Sequence, residues 1–413
     1  MAKNLKKFVN PKFTKTVDLS LLKLLFERHN SGFKGFDLAI LDGEPEAARE
    51  ALLNFFAGPE ENYSEGLIAD LHRIAELGNS NGLRLLEEQA ARLKLSLAPA
   101  THEGEEVHHD PKHVALRAFL DHPVIFDAAS DMLALEARVS LAEFAGTAEG
   151  IEARLDDETK AAFERDARSL FEADMRGRYC RIGWYDDADE VNIVVTHGAP
   201  VTTTPIVQDD TERVISFRAA EHAVLAYSAV TGRLKVGGVA RARRGDIAEI
   251  FARTMLGQPR FFAAPDSQTL YTLDPIERAG FGFKFTHAFD PAIRRVQIVE
   301  VQADRIAMEP RTGETRAYEA FIARDHRDNA LDRMGEIAPG IVFRPNAYRI
   351  GHMTIRIHFD VGEAKPVRVT VKIKPPGTAM FKRHRFEAQI MQLLRRNGLC
   401  HERGPGQTAL AAE

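Results

Sequence analysis

From Gly351 to Lys374 the chain alternates apolar and polar residues twice over, and that pattern restricts its fold more than any other stretch. Met353, Ile355, Ile357 and Phe359 are separated by Thr354, Arg356 and His358, and His352 precedes them. Val367, Val369, Val371 and Ile373 are separated by Arg368, Thr370 and Lys372, and Lys374 follows. A period of two buries one face of a strand and leaves the other to water. Two such runs joined by a short polar stretch predict a hairpin whose outer face carries Arg356, Arg368, Lys372 and Lys374 with two histidines. Pro375, Pro376 and Gly377 stop the second strand, and Thr378 is placed to cap a helix.

Within that helix Phe386, Ile390, Leu393 and Leu394 follow the spacing of a face turned to a core. Lys382, Arg385, Gln389, Gln392 and Arg396 share a different stripe, and Asn397-Gly398 ends the helix. Lysine and arginine neutralise phosphates, while glutamine reaches base edges or sugars. Hairpin and helix together therefore read as a platform for DNA or RNA. The plainer reading of the same residues is a solvated amphipathic helix lying over a sheet.

Charge distribution favours the platform. The chain of 413 residues has a net charge of −5, so it is not basic as a whole. Both ends are: residues 1–15 hold five lysines and no acid, and residues 365–403 hold ten Lys or Arg against Glu387 and Glu402. A second basic stretch runs from Arg233 to Arg244, but its Gly237-Gly238 pair fits no phosphate-loop spacing.

Periodicity predicts an α+β protein in three parts with a tail. Residues 1–176 read as a helical bundle, with helix starts at Asp42–Pro45, Ser64 and Asp110-Pro111, and with helical pattern carried through Phe144–Gly146. This region is the expected contact for a protein partner. At Gly177 the period changes. Residues 177–265 read as a β-rich domain with one helix opened by Asp246 and Glu249, and residues 266–403 as a β-rich domain ending in the basic hairpin and helix. In the latter, Val296–Val301 and Arg305–Met308 read as strands and Tyr318–Met334 as a short helix. Residues 404–413 read as a tail. Helices segregated from strands argue for antiparallel sheets and against a doubly wound parallel one.

Several chemistries find no footing. The two cysteines, Cys180 and Cys400, form no Cys-x-x-Cys pattern, which points to a reducing compartment, the cytoplasm, without thiolate metal sites. No apolar run is long enough to cross a bilayer, and no h-region follows the N-terminal lysines. Phosphate-loop, dinucleotide, nucleophile-elbow and zincin motifs are all missing, so no cofactor is expected. His102, His108, His109 and His113 lie among acids, but Pro111 separates the last from the others, and a polar linker explains them. Asp325, Asp328 and Asp332 alternate with arginines, as on a salt-bridged surface.

The remaining catalytic candidates are His197, as a base at a strand end, with Asp209 and Asp210 as metal-binding carboxylates. They define an alternative reading, a metal-dependent hydrolase or nuclease, beside a third in which the chain is an adaptor subunit of a larger complex. The reading favoured by charge and periodicity is a non-enzymatic nucleic-acid-associated binding or regulatory protein.

Overall fold

The computed structural model describes residues 17–29, 35–58, 62, 64–95, 97, 110–137, 141–187, 190–208, 211–309, 315–344, 347–360, 362, 366–381 and 386–401. They form two compact units, Met1–Leu135 and Glu136–Glu413. The fold is α+β, with eleven helices and three antiparallel sheets among the described residues.

The first unit is helical. Its helices are α1 (Leu19–Arg28), α2 (Pro45–Ala57), α3 (Glu65–Leu77), α4 (Ser80–Arg92), α5 (Pro111–Asp121) and α6 (Pro123–Glu136). Each start predicted from a capping residue is present: Glu44 caps α2, Ser64 accepts from the Leu67 N–H, and Asp110 caps α5 ahead of Pro111. Phe26 packs edge-on against Phe36, Phe55 and Phe56, which is how the nearly all-apolar α1 is buried. No described helix is long and apolar enough to cross a membrane.

The second unit holds two five-stranded sheets. The first contains β1 (Ala142–Ala145), β2 (Cys180–Asp187), β3 (Glu190–Gly198), β6 (Ala220–Ser228) and β7 (Arg233–Gly237), in the order β1-β7-β6-β3-β2. Two helices, α7 (Asp157–Ala173) and α8 (Arg244–Thr254), cover one face through Phe163, Ala167, Phe171, Ile247 and Phe251. Between β3 and β6 the chain makes a two-stranded ribbon of β4 (Thr202–Gln208) and β5 (Thr211–Phe217). Pro205 hides β4 from a sequence reading, yet a proline is tolerated where one side of the strand has no neighbour.

After α9 (Asp274–Ala279) the second sheet is built from β8 (Ile293–Met308), β9 (Thr315–Arg324), β10 (Tyr348–Phe359), β11 (Val367–Lys374) and β12 (Thr378–Met380), in the order β12-β11-β10-β8-β9. Helices α10 (Ala330–Ile337) and α11 (Glu387–Arg396) complete the unit. Met353, Ile355, Ile357 and Phe359 are fully buried with Val371 and Ile373, and α11 lays Ile390, Leu393 and Leu394 into the same core. The rings of Phe359 and Phe386 stack at 4.0 Å. Each such side chain contributes about 1.5–3 kcal/mol on burial.

Several expectations are corrected. The helical pattern read through Phe144–Gly146 is strand β1, because Phe144 and Ala145 face opposite cores. Helix α7, grouped by its periodicity with the residues before 177, packs instead on the first sheet within the second unit. The helix expected over Tyr318–Met334 is strand β9 followed by α10, with Asp325 accepting from the Arg327 and Asp328 N–H groups in the turn between them. Thr378 enters β12 rather than capping a helix. Asp246 and Glu249 lie inside α8, which begins at Arg244, and Glu249 accepts from the Arg260 N–H. The strands expected at Val296–Val301 and Arg305–Met308 are one strand, β8.

Candidate nucleic-acid interface

The hairpin of β10 and β11 forms in the register its alternation requires: Met353 opposes Ile373, Ile355 opposes Val371, and Ile357 opposes Val369. The polar positions consequently share the other face, and β8 extends it. Across the sheet the first row is Arg295, His358 and Arg368, and the second is Gln297, Arg356 and Thr370. A third row contains Arg324, Glu300, Thr354 and Lys372. Bulges in β8 between Ile298 and Glu300 and in β10 at Gly351 reset the alternation so that polar residues stay aligned. At Gly351 any Cβ would collide with the Asp304 carboxylate.

The rows differ electrostatically. In the third, Glu300 binds Arg324 at 2.6 Å, His352 at 2.7 Å and Lys372 at 3.5 Å. Those contacts, the Arg324 hydrogen bond foremost, push its carboxyl down to about 2 despite partial burial. In the first two rows no carboxylate intervenes. Arg356 and Arg368, like exposed Lys374, have no ion-pair partner among the described residues. Burial, then the guanidinium groups of Arg368, Arg295, Arg356 and Arg294, hold the His358 imidazole below its usual range. Its Nε2 is buried without a hydrogen-bond partner among the described residues, as is Nε2 of Gln297, a residue 4% exposed.

The structure divides the expected platform in two. Arg356, Arg368, Lys372 and Lys374 do share one surface, with Arg295, Gln297 and His358 beside them. Helix α11 lies on the opposite, apolar face, so Gln389, Gln392 and Arg396 are not adjacent to the strand cations. Arg396 stands over the Phe289 ring at 5.8 Å. Lys382 and Arg385 lie outside the described residues. The β8 contribution escaped the sequence reading because its bulge breaks strict alternation after Ile298; the only sequence signal was the Arg294-Arg295 pair before an apolar run.

Beyond the end of β9, a cleft of about 810 Å³ borders β8. Its walls include Phe283, His287, Gln297, Asp328, Asp332 and Glu336. Among the described residues, no three His, Cys, Asp or Glu side chains come together to hold a metal. The histidine-rich stretch 102–109 lies outside the described residues, and the Nδ1 of His113 accepts from the Asp18 N–H.

His197 is fully buried in the first sheet, where its ring stacks on Phe171 at 3.9 Å and its Nδ1 meets the Gly198 carbonyl at 2.9 Å. Solvent does not reach the imidazole, which makes it part of the core rather than a base facing a substrate. Asp209 and Asp210 lie outside the described residues. Burial, the largest influence, lowers the His197 pKa. The unfolded chain therefore takes up a proton near pH 6.5 that the native ring refuses, and stability falls as pH drops through that value toward the lower native pKa. Replacing His197 with Phe should reduce the loss of unfolding midpoint between pH 7 and pH 5. An undiminished loss in this variant would place the acid sensitivity elsewhere.

No protein-family model matches the chain, and a search of curated proteins finds no match.

Proposed function

We propose that this is a cytoplasmic, nucleic-acid-associated binding protein whose contact surface is the polar face of the second sheet. The observation that carries this reading is the two-row field of Arg295, Arg356 and Arg368 on a strand face without carboxylates until Glu300, with Lys372 in the Glu300 row and Lys374 beyond it on β11. Guanidinium groups offer paired donors to phosphate oxygens, and strands about 4.8 Å apart hold them at spacings a sugar-phosphate backbone can follow. Both cysteines are free, in keeping with a reducing compartment. The helix α11, on the other side of the sheet, supports the surface by filling the core beneath it.

The test is binding to labelled single-stranded DNA, duplex DNA and RNA across a salt series. With three or four phosphates neutralised, log affinity should fall with log salt at a slope of about −3 on duplex and roughly −2 to −3 on single strands. Salt-independent affinity, or none at low salt, sinks the proposal. Glu300 gives a second measure. Glu300→Gln releases Lys372 and Arg324 from their counter-charge and should tighten binding roughly threefold, with a steeper salt slope. Weaker binding by the folded variant would mean that Glu300 orders the surface instead of masking it.

A further inference from the structure

The cations of the polar face are not evenly spread, and their crowding at one end goes beyond what a run of backbone phosphates needs. Arg295, His358 and Arg368 form one row across three adjacent strands, and Arg356 follows two residues along β10. Arg294, in the bulge of β8, adds a fourth guanidinium to those acting on His358. Two buried nitrogens in the same rows, Nε2 of Gln297 and Nε2 of His358, have no hydrogen-bond partner among the described residues. Leaving a buried donor unmatched costs about 1–3 kcal/mol. The Gln297 amide is one, and His358 Nε2 is a second in the tautomer that carries its proton there. Beside them, among the described residues, Arg356 and Arg368 have no ion-pair partner and Arg295 is tied only to the Arg327 carbonyl, at 3.3 Å. Together they describe a place made for an acceptor-rich anion.

The surroundings specify which anion. An internal phosphodiester has one charge and two free oxygens; a terminal phosphomonoester has a charge of about −1.5 to −2 and three acceptor oxygens. The donors here exceed what the diester can use. A passing strand also has no good exit. Exposed Asp360 follows directly on β10 beyond the first row, and the cleft outside β8, which Arg295 and Gln297 also line, carries Asp325, Asp328, Asp332 and Glu336. Carboxylates on two sides repel a polyanion that tries to continue. From Lys374 and Lys372 the cations lead past Glu300, which Arg324, His352 and Lys372 neutralise, to the crowded rows and stop.

Resting on the nucleic-acid reading, we infer that Arg295, Arg356, Arg368, Gln297 and His358 form a subsite for the phosphorylated end of a nucleic-acid strand. Arg356 and Arg368 embrace the terminal phosphate, and the buried amide and imidazole nitrogens complete its hydrogen bonds when donors point inward.

The experiment compares one single-stranded oligonucleotide in three forms, with a 5′-phosphate, with a 3′-phosphate and with hydroxyl ends, by fluorescence anisotropy at constant ionic strength. One phosphorylated form should bind about tenfold more tightly than the hydroxyl form. Arg368→Gln should bring that ratio to about one, whereas Lys374→Gln should weaken all three forms and preserve the ratio. Inorganic phosphate, added to the wild-type protein against chloride at matched ionic strength, should displace the preferred form first; this arm needs no variant to fold. Equal affinity for all three ends, with salt-sensitive binding retained, overturns the subsite and leaves the binding surface standing. No binding of any form overturns both.

Discussion

The double charge reversal Arg356→Glu, Arg368→Glu should lower affinity for a nucleic acid by about 100-fold near physiological salt and flatten the salt slope by about 2. Both side chains project from the face opposite the core, on neighbouring strands, in adjoining rows. Neither has an ion-pair partner among the described residues, so replacing them breaks no known salt bridge. The reversal instead removes two phosphate contacts and adds two repulsive carboxylates. It also removes two of the four guanidiniums gathered around His358, which lessens their mutual repulsion and should if anything favour folding. Circular dichroism and thermal unfolding should therefore stay close to wild type while binding collapses. The matching control is Gln389→Ala with Gln392→Ala on α11, behind the sheet, which should leave binding within about twofold. The reverse pattern, with loss in the helix variant and none in the sheet variant, would move the interface to the α11 side.

A comparably large effect, on stability, is expected at Glu143. This residue sits on β1 of the first sheet with its side chain 8% exposed, 3.8 Å from Nη1 of Arg233, whose side chain is 13% exposed. The Tyr271 hydroxyl donates to it from the core of the second sheet, and burial followed by the Glu143 charge drives that phenol well above its usual pKa. Glu143 thus joins the backs of the two sheets, as does Lys235, which binds Glu190 and the α11 residue Glu387. Glu143→Ala would leave a buried guanidinium without counter-charge and a buried hydroxyl without acceptor. The expected loss is about 3–5 kcal/mol in urea unfolding, because an isolated buried charge costs far more than a solvated one. Glu143→Gln retains an acceptor for Tyr271 and should lose less. A loss under about 1 kcal/mol for the alanine variant would show that water enters and takes over the role of the carboxylate.

Read as a sequence, the chain discloses whatever depends on near neighbours. Asp110, Ser64 and Pro45 mark helix starts because capping is settled within one turn. Alternation from Met353 to Phe359 and from Val367 to Ile373 determines a hairpin and its register, since a slip of one residue would turn every valine and isoleucine to water. That argument also decides that Arg356, Arg368, Lys372 and Lys374 share a face. It could not decide what lies beside them or behind them. Arg295, Gln297 and Glu300 join the face only because β8, some fifty residues earlier, pairs with β10 through a bulge. Helix α11 leaves it because Ile390, Leu393 and Leu394 bury more apolar surface in the core than any arrangement beside the cations would allow. His197, at a strand end next to a glycine, looks like a candidate base until α7 brings Phe171 over its ring. Local spacing sets which way a side chain points; long-range pairing and the burial of apolar area set what it meets.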